Sequence, residues 1–207
     1  MTPENPLNYN YSHLLHYLHH TGKEKYGPQF FIRKTDVPLI LQLMYYFTNN
    51  EEKAKEHNID LNKGIMLSGP IGCGKTTLLE LMKLIAVPEK KFMLTTSREI
   101  SFEFIKDGFE VIQRYSKGIP GQQTRRNIAF DDLGTERNLK HYGNECNIMA
   151  EILLSRYDLF IQNGFTTHIT TNLSATELED YYGNRVRSRL RNMCNLIFFD
   201  KEAQDKR

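Results

Sequence analysis

With 207 residues the chain has the length of one ordinary globular domain, and its net charge of +2 excludes a protein that coats nucleic acid through charge alone. The cysteines Cys73, Cys146 and Cys194 are widely separated and odd in number, which excludes a disulfide framework and does not fit a zinc site. Reduced thiols, no signal peptide and no apolar run of roughly 18 residues predict a cytoplasmic protein with no membrane partner.

At the N-terminus, residues 1–10 carry two prolines and no periodicity, which predicts a mobile tail. The pattern over 11–20 predicts a short helix with three histidines on one face: His13, His16 and His20. Three imidazoles on a face are compatible with a metal site, but no carboxylate or thiol joins them, which favours a solvated or partner-facing stripe. The pattern over 38–56 predicts a longer amphipathic helix.

The middle of the chain alternates strands with helices. The apolar run 65–67 predicts a strand, and apolar residues at i, i+3, i+4 and i+7 predict a helix over 75–85 that ends before a proline. A second strand is predicted over 91–96. The pattern over 97–116 is helical, with Asp107-Gly108 as a candidate break, and its apolar stripe comprises Phe102, Ile105, Phe109 and Ile112.

The later segments continue this alternation after a predicted loop over 117–123. Strands are predicted over 127–132, 165–171 and 196–199, and helices over 147–163, 174–183 and 184–193. The first of the last two helices begins with capping-box spacing and stops at a glycine. Five strands alternating with helices predict an α/β fold whose parallel sheet is covered on both faces.

The octapeptide 69–76 matches the phosphate-loop pattern G-x-x-x-x-G-K-[ST] at every fixed position. A chance glycine-rich turn is the alternative, which the strand before it and the helix after it disfavour. Lys75 can reach the β- and γ-phosphates of a nucleoside triphosphate, and the Thr76 hydroxyl can ligate Mg²⁺. The predicted nucleotide-binding residues are Gly69, Pro70, Ile71, Gly72, Cys73, Gly74, Lys75, Thr76 and Thr77.

Polar residues follow two later strands. Asp131 stands where a strand is predicted to end beside the phosphate loop, and a carboxylate there can hold the Mg²⁺ shell. Asp132 can orient or deprotonate the attacking water, although an acidic pair is also compatible with a solvated turn. Asn172 ends the fourth predicted strand, where an amide can contact the water or simply cap the strand.

Four arginines occupy alternate positions in the segment 185–191. On a helix, Arg185 and Arg189 share one face and the other two share the opposite face. An arginine aimed at a γ-phosphate stabilises transition-state charge and can come from a neighbouring subunit. The alternative is a basic, solvated helix face.

Together these motifs resemble the AAA+ ATPases of the DnaC/IstB group, which are helicase loaders and transposition helper ATPases. The resemblance runs from about residue 60 to the C-terminus and rests on four segments: GPIGCGKT, AFDDLGTE, HITTNLS and YYGNRVRSRLRNM. It implies an arginine finger on Arg189, with Arg185 as a supporting contact. It also implies a five-stranded AAA+ core over 61–207, with residues 1–60 leading into that core.

The resemblance further implies a helical insertion after the second strand that can meet single-stranded DNA, although a merely solvated reading of its basic residues stays open. These residues are Lys106, Arg114, Lys117, Arg125 and Arg126. Two departures from the wider AAA+ pattern accompany it. Only eight residues follow Phe199, so no C-terminal lid domain is expected, and the N-terminal part lacks the cysteine-rich module with which many loaders grip a helicase.

These features predict an ATP- and Mg²⁺-dependent ATPase of DNA replication or transposition. Its expected partners are further copies of itself in a head-to-tail ring or filament, single-stranded DNA, and a replicative helicase or a transposase. Two other functions stay open: an ATP-dependent binding switch with little turnover, and a small-molecule phosphotransferase that shares only the phosphate loop.

Overall fold

The computed structural model describes most of the chain: residues 9–116, 127–136, 139–141, 144–200, 202–203 and 205–206. For residues 139–141 and 144–146 it describes the backbone only. Several sequence predictions lie outside the described residues. These are the loop 117–123, nearly all of the tail 1–10, the side chain of Cys146, and the basic residues Lys117, Arg125 and Arg126.

The described residues form eight α-helices and seven strands. The helices are α1 (Tyr11–Tyr26), α2 (Val37–Phe47), α3 (Glu51–Glu56), α4 (Lys75–Ile85), α5 (Ser97–Asp107), α6 (Glu110–Ser116), α7 (Ile148–Asn163) and α8 (Ala175–Met193). The strands are β1 (Gly64–Ser68), β2 (Met93–Thr96), β3 (Ile128–Leu133), β4 (Leu139–His141), β5 (Asn144–Cys146), β6 (Thr167–Thr171) and β7 (Cys194–Phe198).

Five of the described strands form one parallel sheet in the order β2-β3-β6-β1-β7. All five residues of β6 and the first four of β1 are buried, as expected of inner strands covered on both faces. Since the strands are parallel, β1, β3 and β6 end at the same edge of the sheet. The predicted α/β fold with a five-stranded parallel sheet is confirmed. The small antiparallel pair β4-β5 was not predicted from the sequence.

The chain divides into two compact units. The first comprises 1–61, 77–91 and 206–207, and the second comprises 62–76 and 92–205. The described sheet strands all belong to the second unit, whereas α1, α2 and α3 belong to the first. The boundary near residue 60 stays a prediction.

Helix α1, in the first unit, is longer than the sequence pattern predicted, since it continues from the predicted end near residue 20 to Tyr26. The Tyr26 hydroxyl donates a 2.8 Å hydrogen bond to Glu80, which also pairs with Lys25. Burial and the bond to Glu80 raise the pKa of Tyr26 to about 12. Three histidines on this helix are exposed: His13, His16 and His20.

The predicted helix over 38–56 is two helices in the structure. Helix α2 ends at Phe47, and Asn49 takes a left-handed conformation with φ of 54° that a helix cannot continue through. Asn50 then caps α3, because its side chain accepts a hydrogen bond from the backbone N–H of Lys53. Asn49 and Asn50 were the local signal for this break.

The predicted break at Asp107-Gly108 separates α5 from α6, with Gly108 at a φ of 62°. Three of the four residues of the predicted apolar stripe do not face the core, and the fourth, Ile112, is partly buried and packs against it. Phe102, Ile105 and Phe109 are 57%, 62% and 53% exposed. The core is filled instead by residues of the adjacent face: Ile100, Phe104, Val111 and Tyr115. Both faces are apolar, so periodicity alone could not identify the buried one.

Candidate nucleotide-binding site

The loop between β1 and α4 has the backbone conformation that a phosphate cradle needs. Gly72 and Gly74 have φ values of 78° and 97°, where residues with a Cβ are strained. A Cβ on Gly69 would lie 2.7 Å from the Cβ of Phe199, so this position also requires glycine. The loop can therefore curl tightly and lead into the N-terminus of α4, which offers a positive dipole end to an anion.

The ammonium group of Lys75 lies inside the curl of this loop. It donates hydrogen bonds of 2.8 Å and 2.9 Å to the carbonyl oxygens of Gly69 and Pro70, and the side chain is only 5% exposed. Its third oxygen partner is the side-chain carbonyl of Asn172, just after β6. Lys75 and Asn172 are 97 positions apart in the sequence, and the fold brings their side chains into contact.

A second contact joins α4 to the end of β3. The Thr76 hydroxyl donates a 3.0 Å hydrogen bond to Oδ1 of Asp131, and the Thr170 hydroxyl donates to the same oxygen at 2.5 Å. Burial raises the pKa of the Asp131 carboxyl, and the two hydroxyl bonds oppose that shift. A hydroxyl and a carboxylate side by side are the hard oxygen ligands that Mg²⁺ prefers, so these residues fit that ion.

Asp132 follows in an unusual backbone conformation. Its φ of 53° lies in the left-handed region, which is uncommon for a residue with a side chain. The Thr170 hydroxyl accepts a 2.8 Å hydrogen bond from the Asp132 amide, and Thr135 donates two bonds to the Asp132 carbonyl. These backbone bonds fix the turn that carries Asp132, whose side chain is less buried than that of Asp131.

Two threonines of β6 are site residues that the sequence analysis missed. Thr170 contacts both acidic residues at the end of β3, and Thr171 donates a 2.7 Å bond to the carbonyl of Leu133. Their position in the sequence could have identified them, because they directly precede Asn172 at the end of a predicted strand. Hydroxyl groups at that edge can reach the neighbouring strand without interrupting the sheet.

The arginine-bearing segment belongs to α8, which kinks at Gly183 (φ 83°, ψ 158°). Beyond the kink, Arg185 is exposed. The guanidinium of Arg189 lies 4.8 Å from the centre of the Tyr157 ring and donates a 3.3 Å bond to the Leu154 carbonyl. Both contacts of Arg189 are with α7. The predicted site residues that the structure brings together are Lys75, Thr76, Asp131 and Asn172, and Arg189 is not in contact with them. Three apolar residues of this half of α8 are buried: Val186, Leu190 and Met193.

Beside the phosphate loop lies a cavity of about 580 Å³. Pro70 and Asn172 form part of its wall next to the loop. The remainder is mainly apolar and comes from β1, β7 and α8, including Met66, Leu178 and Phe198, and Arg187 and Arg191 of α8 also line it.

No protein-family model and no curated protein sequence matches the chain. Solved structures do. The DnaC helicase loader aligns at a TM-score of 0.55 and 20% identity, over 82% of this chain and 92% of that one. DnaI aligns at 0.54 and 19%, over 83% and 88% of the two chains. The chain has the fold of these proteins.

A DNA replication initiation factor also aligns, at a TM-score of 0.54 and 15% identity. The alignment covers 83% of this chain and 48% of that longer one. At such low identities the likeness establishes the fold alone. The resemblance to the DnaC/IstB group that the motifs indicate therefore holds at the level of the fold.

Two absences hold for the part of the chain that the structure describes. No helix there has both the length and the apolarity to cross a membrane. No group of three histidine, cysteine, aspartate or glutamate side chains there gathers as a metal site.

Proposed function

We propose that the chain is an ATPase of the DnaC/IstB group, acting in the cytoplasm as an accessory protein of DNA replication or transposition. The observation that supports this most directly is the pair of contacts Lys75–Asn172 and Thr76–Asp131. They join three segments of the chain at one edge of the sheet, the start of α4, the end of β3 and the residue after β6, where each side chain would have a role in nucleotide hydrolysis.

Lys75 would exchange the two loop carbonyls for the β- and γ-phosphate oxygens of ATP, which are stronger acceptors for its charge. Thr76 and Asp131 would hold Mg²⁺, which supplies positive charge against the phosphates when it is bound. The half-buried Asp132 orients or deprotonates the attacking water, and Asn172, released from Lys75, contacts that water or the γ-phosphate.

We propose that the arginine finger is supplied between subunits. Lys75 lies within the phosphate loop, whereas Arg185 is exposed and Arg189 rests on α7. A neighbouring subunit docked head to tail could therefore receive this pair at its own site. Such a heterologous contact can continue into a ring or a filament.

Single-stranded DNA is the proposed nucleic-acid partner, and the exposed stripe on α5 and α6 is its proposed contact. Phe102, Ile105 and Phe109 are more than half exposed, and the guanidinium of Arg98 lies 5.5 Å from the centre of the Phe102 ring. Aromatic rings beside cations bind single strands by stacking. Arg114 contributes little, because ion pairs of 2.6 Å and 2.8 Å hold it to two acidic residues. A replicative helicase or a transposase is the proposed protein partner.

The test is phosphate release from ATP by the purified chain, measured with Mg²⁺ or EDTA and with or without single-stranded DNA. We expect release that requires Mg²⁺ and is lost in Lys75→Ala. Tight binding without release under any of these conditions would instead favour the binding switch. Transfer of labelled γ-phosphate to a small molecule would favour the phosphotransferase, although the largely apolar cavity beside the loop suits such an acceptor poorly.

A further inference from the structure

Glu136 is a buried acidic residue that the roles above do not use. It lies four positions after Asp132, and only 5% of it is exposed. A carboxylate in that position needs hydrogen-bond donors, because burying it unpaired is costly. Its donors connect two parts of the second unit.

The first connection is to the turn that carries Asp132. The backbone N–H of Gly134 donates a 2.9 Å hydrogen bond to Oε2 of Glu136. The same turn is closed by Thr135, whose amide and hydroxyl donate to the Asp132 carbonyl at 3.1 Å and 2.8 Å. The turn 132–136 is therefore a short, internally bonded segment.

The second connection is to α8. The Tyr182 hydroxyl donates to Oε1 of Glu136, and the Tyr181 hydroxyl donates to its backbone carbonyl. Burial and the nearby negative charge of Glu136 raise the pKa of Tyr182, so its phenol stays a neutral donor. Asn147, the N-cap of α7, also donates a 2.9 Å bond to the Tyr181 carbonyl.

These tyrosines directly precede the kink of α8. Gly183 has φ of 83°, and a Cβ there would meet nothing within 4 Å, so the kink comes from backbone conformation and not from crowding. A helix interrupted at one residue can change direction there. Arg185 and Arg189 follow the kink within two turns, so the bonds to Glu136 fix the base of the arginine-bearing half.

We propose that Glu136 is a positioning residue that couples the water-orienting Asp132 to the direction of the arginine-bearing half of α8. Nucleotide in a subunit's own site would shift the turn 132–136, and the two tyrosines would carry that shift to Arg185 and Arg189. The position of the arginine finger that a subunit presents to its neighbour would then depend on whether nucleotide is bound in that subunit's own site. This inference rests on the proposed ATP-binding function.

The test compares Glu136→Gln and Tyr182→Phe with wild type by hydrogen exchange of residues 184–193, with and without a non-hydrolysable ATP analogue. In wild type we expect the analogue to change exchange there, and in both variants we expect most of that change to vanish while the affinity for the analogue stays within about 2-fold. The matched control is Tyr115→Phe, which removes a similar 2.7 Å tyrosine–glutamate bond, to Glu103, away from α8.

Steady-state kinetics give a second measurement. Both variants should lower kcat by about 10-fold, a typical size for a coupling effect, with little change in KM. Replacing Arg189 by alanine in the Glu136→Gln background should add less than its full effect. Lower melting temperatures with full nucleotide-dependent exchange, or effects that multiply with those of Arg189→Ala, would overturn the coupling.

The coupling and the proposed function fail in different ways. A wild type that binds the analogue without any change over 184–193 contradicts the coupling alone. A wild type that binds no nucleotide refutes the proposed function, and this inference falls with it.

Discussion

The Thr76 hydroxyl lies 3.0 Å from Oδ1 of Asp131, which joins the first turn of α4 to the end of β3. This contact brings together the two protein ligands proposed for Mg²⁺. It also draws the buried acidic residue toward the phosphate loop through a neutral donor. The arrangement that suits a metal-bound nucleotide is thus present in the protein alone. It requires a buried carboxylate, which lowers the stability of the protein when no metal is bound.

Replacing Lys75 by alanine should weaken ATP binding by about 100-fold or more, the scale of a lost charged hydrogen bond to phosphate. The fold should survive, since the ammonium contacts the loop and Asn172 and not the apolar core. Titration with a fluorescent ATP analogue measures the affinity, and a melting curve checks the fold. Lys83→Ala, on the same helix, is the control and should bind normally. Unchanged affinity in Lys75→Ala would refute the phosphate-loop assignment.

Replacing Asp131 by asparagine should stabilise the protein when Mg²⁺ is absent. Burial raises the pKa of this carboxyl above its unfolded value, so folding takes up a proton and stability falls as pH rises through the raised pKa. Asparagine does not ionise. We expect its melting temperature to exceed that of wild type by about 2–4 °C near neutral pH, the shift for ~1 kcal/mol in a chain of this size.

The difference should shrink as the pH is lowered from about 8 toward about 4, because the wild-type carboxyl then becomes protonated. Mg²⁺ with ATP should reverse the order, since only the carboxylate binds the metal. Scanning fluorimetry over pH measures both effects. A variant that is less stable than wild type across the whole range without metal would show that the Asp131 charge is well compensated.

Replacing Asp132 by asparagine should leave ATP binding nearly unchanged and lower turnover by roughly 100-fold or more, the scale of a lost base or water-positioning group. The amide keeps the size of the side chain, and the backbone bond to Thr170 does not involve the carboxylate. Phosphate release and analogue binding are measured on the same sample. Normal turnover would assign the base to another residue.

Two variants separate stacking from charge in DNA binding. Phe102→Ala should weaken single-strand binding by about 1–3 kcal/mol without changing its salt dependence, because an exposed ring contributes stacking and no charge. Joint replacement of Lys117, Arg125 and Arg126 by alanine should instead flatten the salt dependence by up to about three units of slope. Binding measured by fluorescence anisotropy over a salt series distinguishes them. A salt slope unchanged in the triple variant would mean that these cations are only solvated.

The sequence predicted correctly that the proposed site residues lie at the ends of strands, because each belongs to a short motif whose spacing is tied to a loop or a cap. The octapeptide 69–76, the acidic pair and Asn172 all lie at one edge of the sheet. The contacts between segments could not be predicted in this way. Lys75 reaches Asn172, and Thr170 reaches Asp131, only because β1, β3 and β6 are neighbours in the sheet.

The remaining differences have local causes. An asparagine with positive φ breaks the predicted helix over 38–56, and periodicity does not register such a residue. On α5 the predicted apolar stripe, which includes Phe102 and Ile105, is exposed, because Ile100 and Phe104 on the adjacent face pack in the core. The contact of Glu136 with two tyrosines 45 and 46 positions away left no pattern in the sequence.

The most direct test of the account is a mixing experiment with two inactive variants. Arg189→Ala keeps an intact nucleotide site but cannot offer the finger, whereas Asp132→Asn keeps the finger but has a disabled site. Each alone should bind ATP and hydrolyse it poorly, with a loss of up to about 10³-fold for the missing finger. Lys83→Ala, which removes a cation outside α8, is the control and should stay active.

Mixing the two variants should restore part of the wild-type phosphate release, because some interfaces then combine an intact site with an intact finger. Wild-type specific activity should also rise with protein concentration as subunits assemble. A mixture that stays inactive, together with wild-type activity that is independent of concentration from monomer to oligomer, would contradict hydrolysis shared between subunits.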